Sequence, residues 1–101
     1  EMTVRNEMLN GFGLCHGGVI YSLADSALAF ASNSRGKIAV SIDASLSIPA
    51  SASKGDTIRA IAYEIDRGEK IGHYSVSVTK TDGDLVGLFK GTIYVTTKPV
   101  V

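Results

Sequence analysis

Two short stretches of this sequence combine residue types that can carry out chemistry. Residues 15–18, Cys-His-Gly-Gly, stand directly before an apolar run, and Asp25 lies inside that run among alanines and leucines. The run predicts a helix from Val19 to about Ser32. A helix start has unpaired N–H groups and the positive end of the helix dipole, which suit an anion or a developing oxyanion. A carboxylate in apolar surroundings is a candidate base or nucleophile.

Both features also have plainer interpretations, which the residues alone leave open. Asp25 can belong to a solvent-facing polar stripe with Tyr21, Ser22 and Ser26, because lone carboxylates are mostly exposed. Two glycines at a helix start permit a close backbone approach of any kind, so a tight turn without a ligand is the alternative to an anion site. His16 is either a hydrogen-bonded structural residue or a catalyst.

The elements that position these residues follow from the spacing of apolar side chains. A short β-like stretch near Met2 precedes the helix, and four strands follow it, over residues 38–48, 56–65, 71–80 and 85–97. The short turns between them imply antiparallel neighbours, and one long apolar helix against such a sheet is an α+β layer pair. In the first of the four strands, Ser41 and Asp43 share a polar face that either contacts water or is enclosed between subunits.

Composition limits the class of protein. The 101 residues are one domain's worth, and 45% hydrophobic residues with a net charge of zero exclude intrinsic disorder. The sequence has no excess of basic residues that would favour nucleic acid or an anionic membrane as a partner. A single cysteine, Cys15, excludes an internal disulfide and a thiolate zinc site, so we expect a cytoplasmic protein without metal or cofactor. Near-zero charge in so small a domain favours self-association.

The motifs together resemble the PaaI-type thioesterases of the hotdog-fold 4-hydroxybenzoyl-CoA thioesterase superfamily. The most specific feature is the order Asn10, Gly17 and Asp25, seven and then eight residues apart. Similar segments at 33–34, 39–43, 54–57 and 88–92 extend the resemblance over most of the chain. It implies a hotdog fold over residues 1–101, a curved antiparallel sheet of about five strands wrapped around one long central helix. From the pattern of the family, we expect an N-terminal helix and the start of the first strand to be missing from this sequence.

The resemblance also implies an activity and a site. The activity is hydrolysis of aryl- or medium-chain acyl-CoA thioesters, phenylacetyl-CoA-type substrates included, in a homodimer that assembles to a homotetramer. By position, Gly17 offers its N–H to the thioester carbonyl, and Asn10 orients the substrate or the water. Asp25 of the other subunit is the nucleophile or general base, and Ser41 helps to hold the water or the thioester. The residues expected to bind the rest of the substrate and its CoA moiety are His16, Gly18, Ser51, Arg67, Gly68 and Lys70.

Several alternatives accompany this interpretation. A non-catalytic hotdog protein would bind acyl-CoA even without Asp25 and would not turn it over. A hotdog dehydratase or hydratase would pair a catalytic histidine with an acidic residue in a different motif, whereas His16 stands before the helix as in the thioesterases. Arg67 and Lys70 either contact the CoA phosphates or lie in a solvated turn.

Overall fold

One helix lies across a curled antiparallel sheet in the computed structural model, which describes residues 1–99. The sheet order is β1-β3-β4-β5-β2, so the strand that follows the helix forms one edge of the sheet. The predicted α+β architecture is confirmed, although residues 100 and 101 of the predicted domain lie outside the described residues. The elements are β1 (Met2–Thr3), a 3₁₀ turn (Asn6–Met8), α1 (Gly17–Asn33), β2 (Lys37–Ser47), β3 (Thr57–Arg67), β4 (Ile71–Lys80) and β5 (Leu85–Pro99).

The core lies between one face of α1 and the concave face of the sheet. Ile20, Ala24 and Leu28 follow each other at one-turn spacing, and each is at most 1% exposed. They meet a sheet face that contains Val76 and Phe89, which have no exposed surface. Burial of this apolar stripe therefore fixes which side of the helix faces the sheet.

Two glycines of β5 set the distance between helix and sheet. A Cβ atom on Gly91 would lie 2.6 Å from Cδ2 of Leu28, and one on Gly87 would lie 2.8 Å from Cγ2 of Ile20. Any larger residue at these positions would push the helix away from β5.

A β-bulge in β2 changes which of its side chains face the helix. Ser41 and Asp43 pair with consecutive residues of β5, so Ile42 between them is an extra residue in the strand. Ala39 and Ser41 face inward before the bulge, and Leu46 faces inward after it. The prediction that Ser41 and Asp43 share one face is therefore wrong, because they lie on opposite faces of the sheet.

Several large apolar side chains stay exposed in a single copy of the chain. Phe30 on α1 is 83% exposed, and Ile38, Val40 and Ile42 on the edge strand β2 are 36%, 46% and 56% exposed. A long apolar edge strand is a typical site of association with another strand. The helix is thus apolar on more sides than one sheet covers.

Candidate functional site

His16 caps the N-terminal end of α1. Its Nδ1 accepts a hydrogen bond from the N–H of Gly18 at 3.0 Å, and its carbonyl accepts the N–H groups of Val19 and Ile20. This geometry requires a neutral imidazole that carries its proton on Nε2. The N–H of Gly17 has no hydrogen-bond partner among residues 1–99, so it is an open donor at the positive end of the helix.

Asn10 folds the loop in front of this helix end. Its Oδ1 accepts the N–H of Phe12 at 2.9 Å and the N–H of Leu14 at 3.2 Å. Gly13, at φ +75°, completes the turn in a conformation that glycine adopts without strain. Because two donors occupy Oδ1, the Nδ2 group is the part of this side chain left for a ligand. Asn10 can therefore donate a hydrogen bond to a substrate or a water molecule.

The segment after β2 holds the same loop in place. The N–H of Cys15 donates to the carbonyl of Ala52 at 2.7 Å, and Leu14 forms an isolated β-bridge with Ser53. Burial raises the pKa of the Cys15 thiol, which suits a packing residue and not a nucleophile. Ser51, which is exposed, is thereby brought to the N-terminal end of α1.

Asp25 and Ser41 line one small pocket between the middle of α1 and β2. Asp25 is half-buried, whereas Ser22 and Ser26 are exposed, so the structure supports the partly buried carboxylate and not the solvent-facing stripe. No ion pair involves Asp25 in the part of the chain that the structure describes. The pocket has a volume of about 110 Å³ and is lined by Asp25, Leu28, Ala29, Ser32, Ala39, Ser41 and Ile93.

Gly17 and Asp25 do not meet within one chain. They are eight residues apart in α1, which corresponds to about 12 Å along the helix axis. Groups that act on one carbonyl must lie within about 3–3.5 Å of the reacting atoms. A single copy therefore cannot direct both groups at the same thioester.

Arg67 belongs to a hydrogen-bonded network at the C-terminal end of α1. Its Nη1 donates to the carbonyl of Ser32 at 2.8 Å and to the hydroxyl of Tyr74 at 2.7 Å. The Tyr74 hydroxyl donates to Oε1 of Glu64 at 2.9 Å, and the other oxygen of Glu64 accepts from Arg35. Burial raises the pKa of Tyr74, and its bonds with Arg67 and Glu64 act in opposite directions.

The residues predicted to bind the substrate and its CoA moiety divide between the two ends of the helix. The 17 residues of α1 span about 25 Å, so the two groups are well separated in one chain. One nitrogen of Arg67 is already used inside the protein, so the solvated-turn interpretation does not describe this side chain. The N-terminal group is His16, Gly18 and Ser51, and the C-terminal group is Arg67, Gly68 and Lys70.

The network around Tyr74 is the part of this region that sequence reasoning missed. Its signal was a tyrosine on the inward-facing row of β4, followed by Val76 and Val78. A buried phenol requires a hydrogen-bond partner, and the charged residues of the neighbouring hairpin were the available ones.

Residues 1–99 contain neither a metal-binding cluster nor a membrane-spanning helix. Residues 1–99 contain no group of three or more His, Cys, Asp and Glu side chains that could hold a metal ion. His73 pairs with Asp66, Nδ1 to Oδ1 at 2.6 Å, without a third such residue. No helix within residues 1–99 has the length and hydrophobicity needed to cross a membrane.

Comparison with known proteins places this arrangement in a family. Residues 12–87 match the Thioesterase superfamily. A putative esterase of Archaeoglobus fulgidus is 44% identical over 94 residues, which cover 93% of this chain and 61% of that protein. Acyl-coenzyme A thioesterase PaaI of Escherichia coli is 39% identical over 90 residues, which cover 89% of this chain and 64% of that protein. The chain thus spans about three fifths of the length of these relatives.

Solved structures agree with the sequence comparison. The E. coli PaaI protein, from the phenylacetic acid degradation operon, superposes with a TM-score of 0.96 at 35% identity, covering 99% of this chain and 72% of that one. The Streptococcus mutans protein smu.793, bound to acetyl CoA, superposes with a TM-score of 0.92 at 30% identity, covering 96% and 78%. The helix wrapped by a curled five-stranded sheet is a hotdog fold. The chain belongs to the Thioesterase superfamily, so the resemblance predicted from its motifs is confirmed.

Proposed function

We propose that this protein hydrolyses acyl-CoA thioesters. The observation that carries the proposal is the open helix end, where the N–H of Gly17 and the Nδ2 group of Asn10 have no hydrogen-bond partner within residues 1–99. A thioester carbonyl gains negative charge when it is attacked, and preorganised donors stabilise that charge. The similarity to a protein named acyl-coenzyme A thioesterase and to one bound to acetyl CoA supports the same substrate class.

Gly17 is the proposed donor to the thioester carbonyl. A Cβ atom at this position would lie 2.9 Å from Cδ1 of Ile48, so a larger residue would crowd the end of β2. The absence of a side chain leaves the N–H accessible to a substrate oxygen. Asn10 supplies a second donor, which orients the carbonyl or the attacking water.

Asp25 is the proposed general base or nucleophile. As a base, it takes a proton from water while the water oxygen attacks the carbonyl carbon; the C–S bond then breaks, and the sulfur leaves as the CoA thiol after receiving the proton. As a nucleophile, its carboxylate displaces the CoA sulfur, and water then hydrolyses the acyl–aspartyl anhydride. Ser41 shares the pocket of Asp25 and helps to hold the water or the thioester in either route.

The carboxylate that serves one open helix end comes from a second copy of the chain, because Gly17 and Asp25 are about 12 Å apart along α1. The exposed apolar edge of β2 is the proposed contact in a homodimer. Two such dimers form the proposed homotetramer. Each complete site would then lie between two subunits.

The proposed substrates are aryl- or medium-chain acyl-CoA esters, phenylacetyl-CoA-type esters among them. Support for the aryl class comes from the E. coli relative of the phenylacetic acid degradation operon. Lys70 and the free donors of Arg67 are proposed to meet the CoA phosphates, because guanidinium and ammonium groups both bind phosphate. His16, Gly18, Ser51 and Gly68 are proposed to line the remaining path of the substrate. The unpaired thiol of Cys15 fits a reducing cytoplasm.

The test is CoA release from phenylacetyl-, hydroxybenzoyl-, short- and medium-chain acyl-CoA. We expect Asp25→Asn to lower kcat by about 10²- to 10⁴-fold with CoA esters still bound. Asp43→Asn is the matched control, because this carboxylate lies on the opposite face of the sheet; it should turn over at the parent rate. A parent that binds the esters without releasing CoA would instead make the protein a binding module.

Mixing two inactive variants tests the shared site. A dimer of an Asp25→Asn subunit and an Asn10→Ala subunit has one site in which both residues are native. After dissociation and random reassociation, the mixture should recover about a quarter of the parent activity, because half of the dimers are mixed and each has one intact site. No recovery after verified subunit exchange would place both residues in one chain's site.

A further inference from the structure

Asn33, the last residue of α1, connects the helix to β2 through its side-chain amide. Its Oδ1 accepts the N–H of Ala39 at 2.9 Å, and its Nδ2 donates to the carbonyl of Ala39 at 3.3 Å. The same Nδ2 donates to the carbonyl of Ala29 at 2.8 Å, which ties the amide to the preceding helical turn. The side chain thus binds both backbone groups of Ala39, as a residue of a neighbouring strand would.

In a single copy of the chain, these backbone groups of Ala39 would otherwise be unpaired at the edge of the sheet. Ala39 stands opposite Val95 of β5, and the N–H of Val95 donates to Lys70, on the side of β4. In an antiparallel pair, both residues direct their backbone groups toward each other or both direct them away. The N–H and carbonyl of Ala39 therefore point away from β5, toward the open edge that Asn33 occupies.

The segment that Asn33 holds leads directly to the proposed site. Ala39 is a wall of the pocket that Asp25 lines, and Ser41 is the next inward-facing residue of the strand. Register irregularities flank residues 39–41 on both sides, so regular pairing with β5 fixes only a short stretch. The contact from Asn33 adds a direct connection between this stretch and the helix that bears Asp25.

We propose that Asn33 is a positioning residue of the thioesterase site, holding β2 at Ala39 so that Ser41 stays in place opposite Asp25. The inference rests on the proposed function and deepens it. Asn33 acts through Ser41 and does not itself touch the substrate.

The test compares Asn33→Ala with the matched control Ser34→Ala. The Ser34 hydroxyl donates to the carbonyl of Ala31 at 2.7 Å, so its loss removes a hydrogen bond from the same helix end without affecting β2. Rates are measured well below the melting temperature of each variant. We expect kcat of Asn33→Ala to fall about 10- to 100-fold, with little change in KM, because small displacements of a reacting geometry are costly. Ser34→Ala should retain the parent kcat.

A double-mutant cycle distinguishes positioning from simple loss of stability. In a Ser41→Ala background, Asn33→Ala should lower kcat little further, because the Ser41 hydroxyl through which Asn33 acts is already absent. Asn33→Asp keeps the acceptor for the Ala39 N–H but loses both donors, so it should give an intermediate kcat. It serves as the principal variant if Asn33→Ala does not fold. Amide exchange at Ala39 should accelerate in Asn33→Ala.

Each contrary result has a distinct meaning. A parent-like kcat for Asn33→Ala, or the same loss with and without Ser41, overturns the positioning role while the thioesterase proposal stands through Asp25→Asn. A parent-like kcat for Ser41→Ala overturns it as well. If the parent protein releases no CoA from any ester, the proposed function fails, and the role of Asn33 falls with it.

Discussion

The two ends of the central helix differ in whether the backbone groups that have no partner inside the helix are bound by other residues of the protein. At the N-terminal end, His16 accepts the N–H of Gly18, but the N–H of Gly17 is left open. At the C-terminal end, Arg67 donates to the carbonyl of Ser32, and Asn33 binds the edge of β2. The N-terminal end exposes a donor that a ligand can use. At the C-terminal end, side chains bind the backbone groups within the protein.

The difference assigns separate tasks to the two ends. A group that stabilises charge in a reaction must be free in the resting protein and held in place by its neighbours. The loop of Asn10 meets that requirement, because its turn consumes Oδ1 and leaves Nδ2 free. The network of Arg67, Tyr74 and Glu64 uses its charged groups within the protein, which is typical of a structural support.

Asn10→Asp tests the N-terminal end and has the largest expected effect on rate among the variants that compare the two ends of the helix. An aspartate can still accept both loop N–H groups, so the turn should persist and the melting temperature should stay close to that of the parent. It cannot donate as the Nδ2 group does, and it adds a negative charge where the carbonyl becomes negative. We expect kcat/KM to fall about 10²- to 10³-fold, measured by CoA release.

The comparison variant is Asn10→Ala, which loses both the turn and the donor. It should also lose rate, and it should be less stable than Asn10→Asp in urea unfolding, because the N–H groups of Phe12 and Leu14 lose their acceptor. A parent-like rate for Asn10→Asp would show that Nδ2 has no part in the reaction.

Most of the fold could be predicted from the sequence, because periodicity reports which side chains face the core. The helix pattern predicted Val19–Ser32, and the observed α1 adds two residues at its start, where His16 supplies a cap that periodicity does not detect. The bulge at Ile42 could not be predicted, because alternation continues through it in the sequence and only the pairing with β5 reveals the extra residue.

The candidate site was predictable in its residue types but not in its contacts. The order Asn10, Gly17 and Asp25 was visible in the sequence, whereas the double acceptor role of Asn10 depends on how its loop turns. Arg67 was expected at the surface beside CoA, and its bond to the carbonyl of Ser32 depends on a packing that no local pattern reports. Local spacing identifies candidates, and tertiary contacts decide which of their atoms are free.

Tyr74→Phe tests the C-terminal end of the helix, where we expect a change in stability without a change in the rate of CoA release. The variant loses the bonds from Arg67 and to Glu64, so the free energy of unfolding should fall by about 1.5–3 kcal/mol, as for hydrogen bonds to charged groups. The rate of CoA release should stay at the parent value. A fall in kcat of the fully folded variant would show that the network of Arg67, Tyr74 and Glu64 also determines the geometry of the catalytic site.

The pH dependence of unfolding sharpens the same test. Burial raises the pKa of Tyr74 in the folded protein, whereas the unfolded phenol ionises near its ordinary value of 10.0. The contribution of Tyr74 is therefore fully present below about pH 10 and is lost as the pH rises above it. The stability difference between parent and Tyr74→Phe should narrow in alkaline urea titrations, and a constant difference would contradict the buried neutral phenol.

His16→Ala tests whether the cap and the open donor are separable, and it has the smallest expected effect. Loss of the Nδ1 acceptor should cost about 1 kcal/mol of stability, the usual value for an N-cap side chain. His16→Asn provides a shorter acceptor for the same helix end and should restore most of that stability. If both variants show the same rise in KM for acyl-CoA, the Nε2 proton of His16 also binds substrate. If His16→Asn restores KM together with stability, capping is the whole role of His16. The residue then affects the reaction only by fixing the direction in which the Gly17 N–H points.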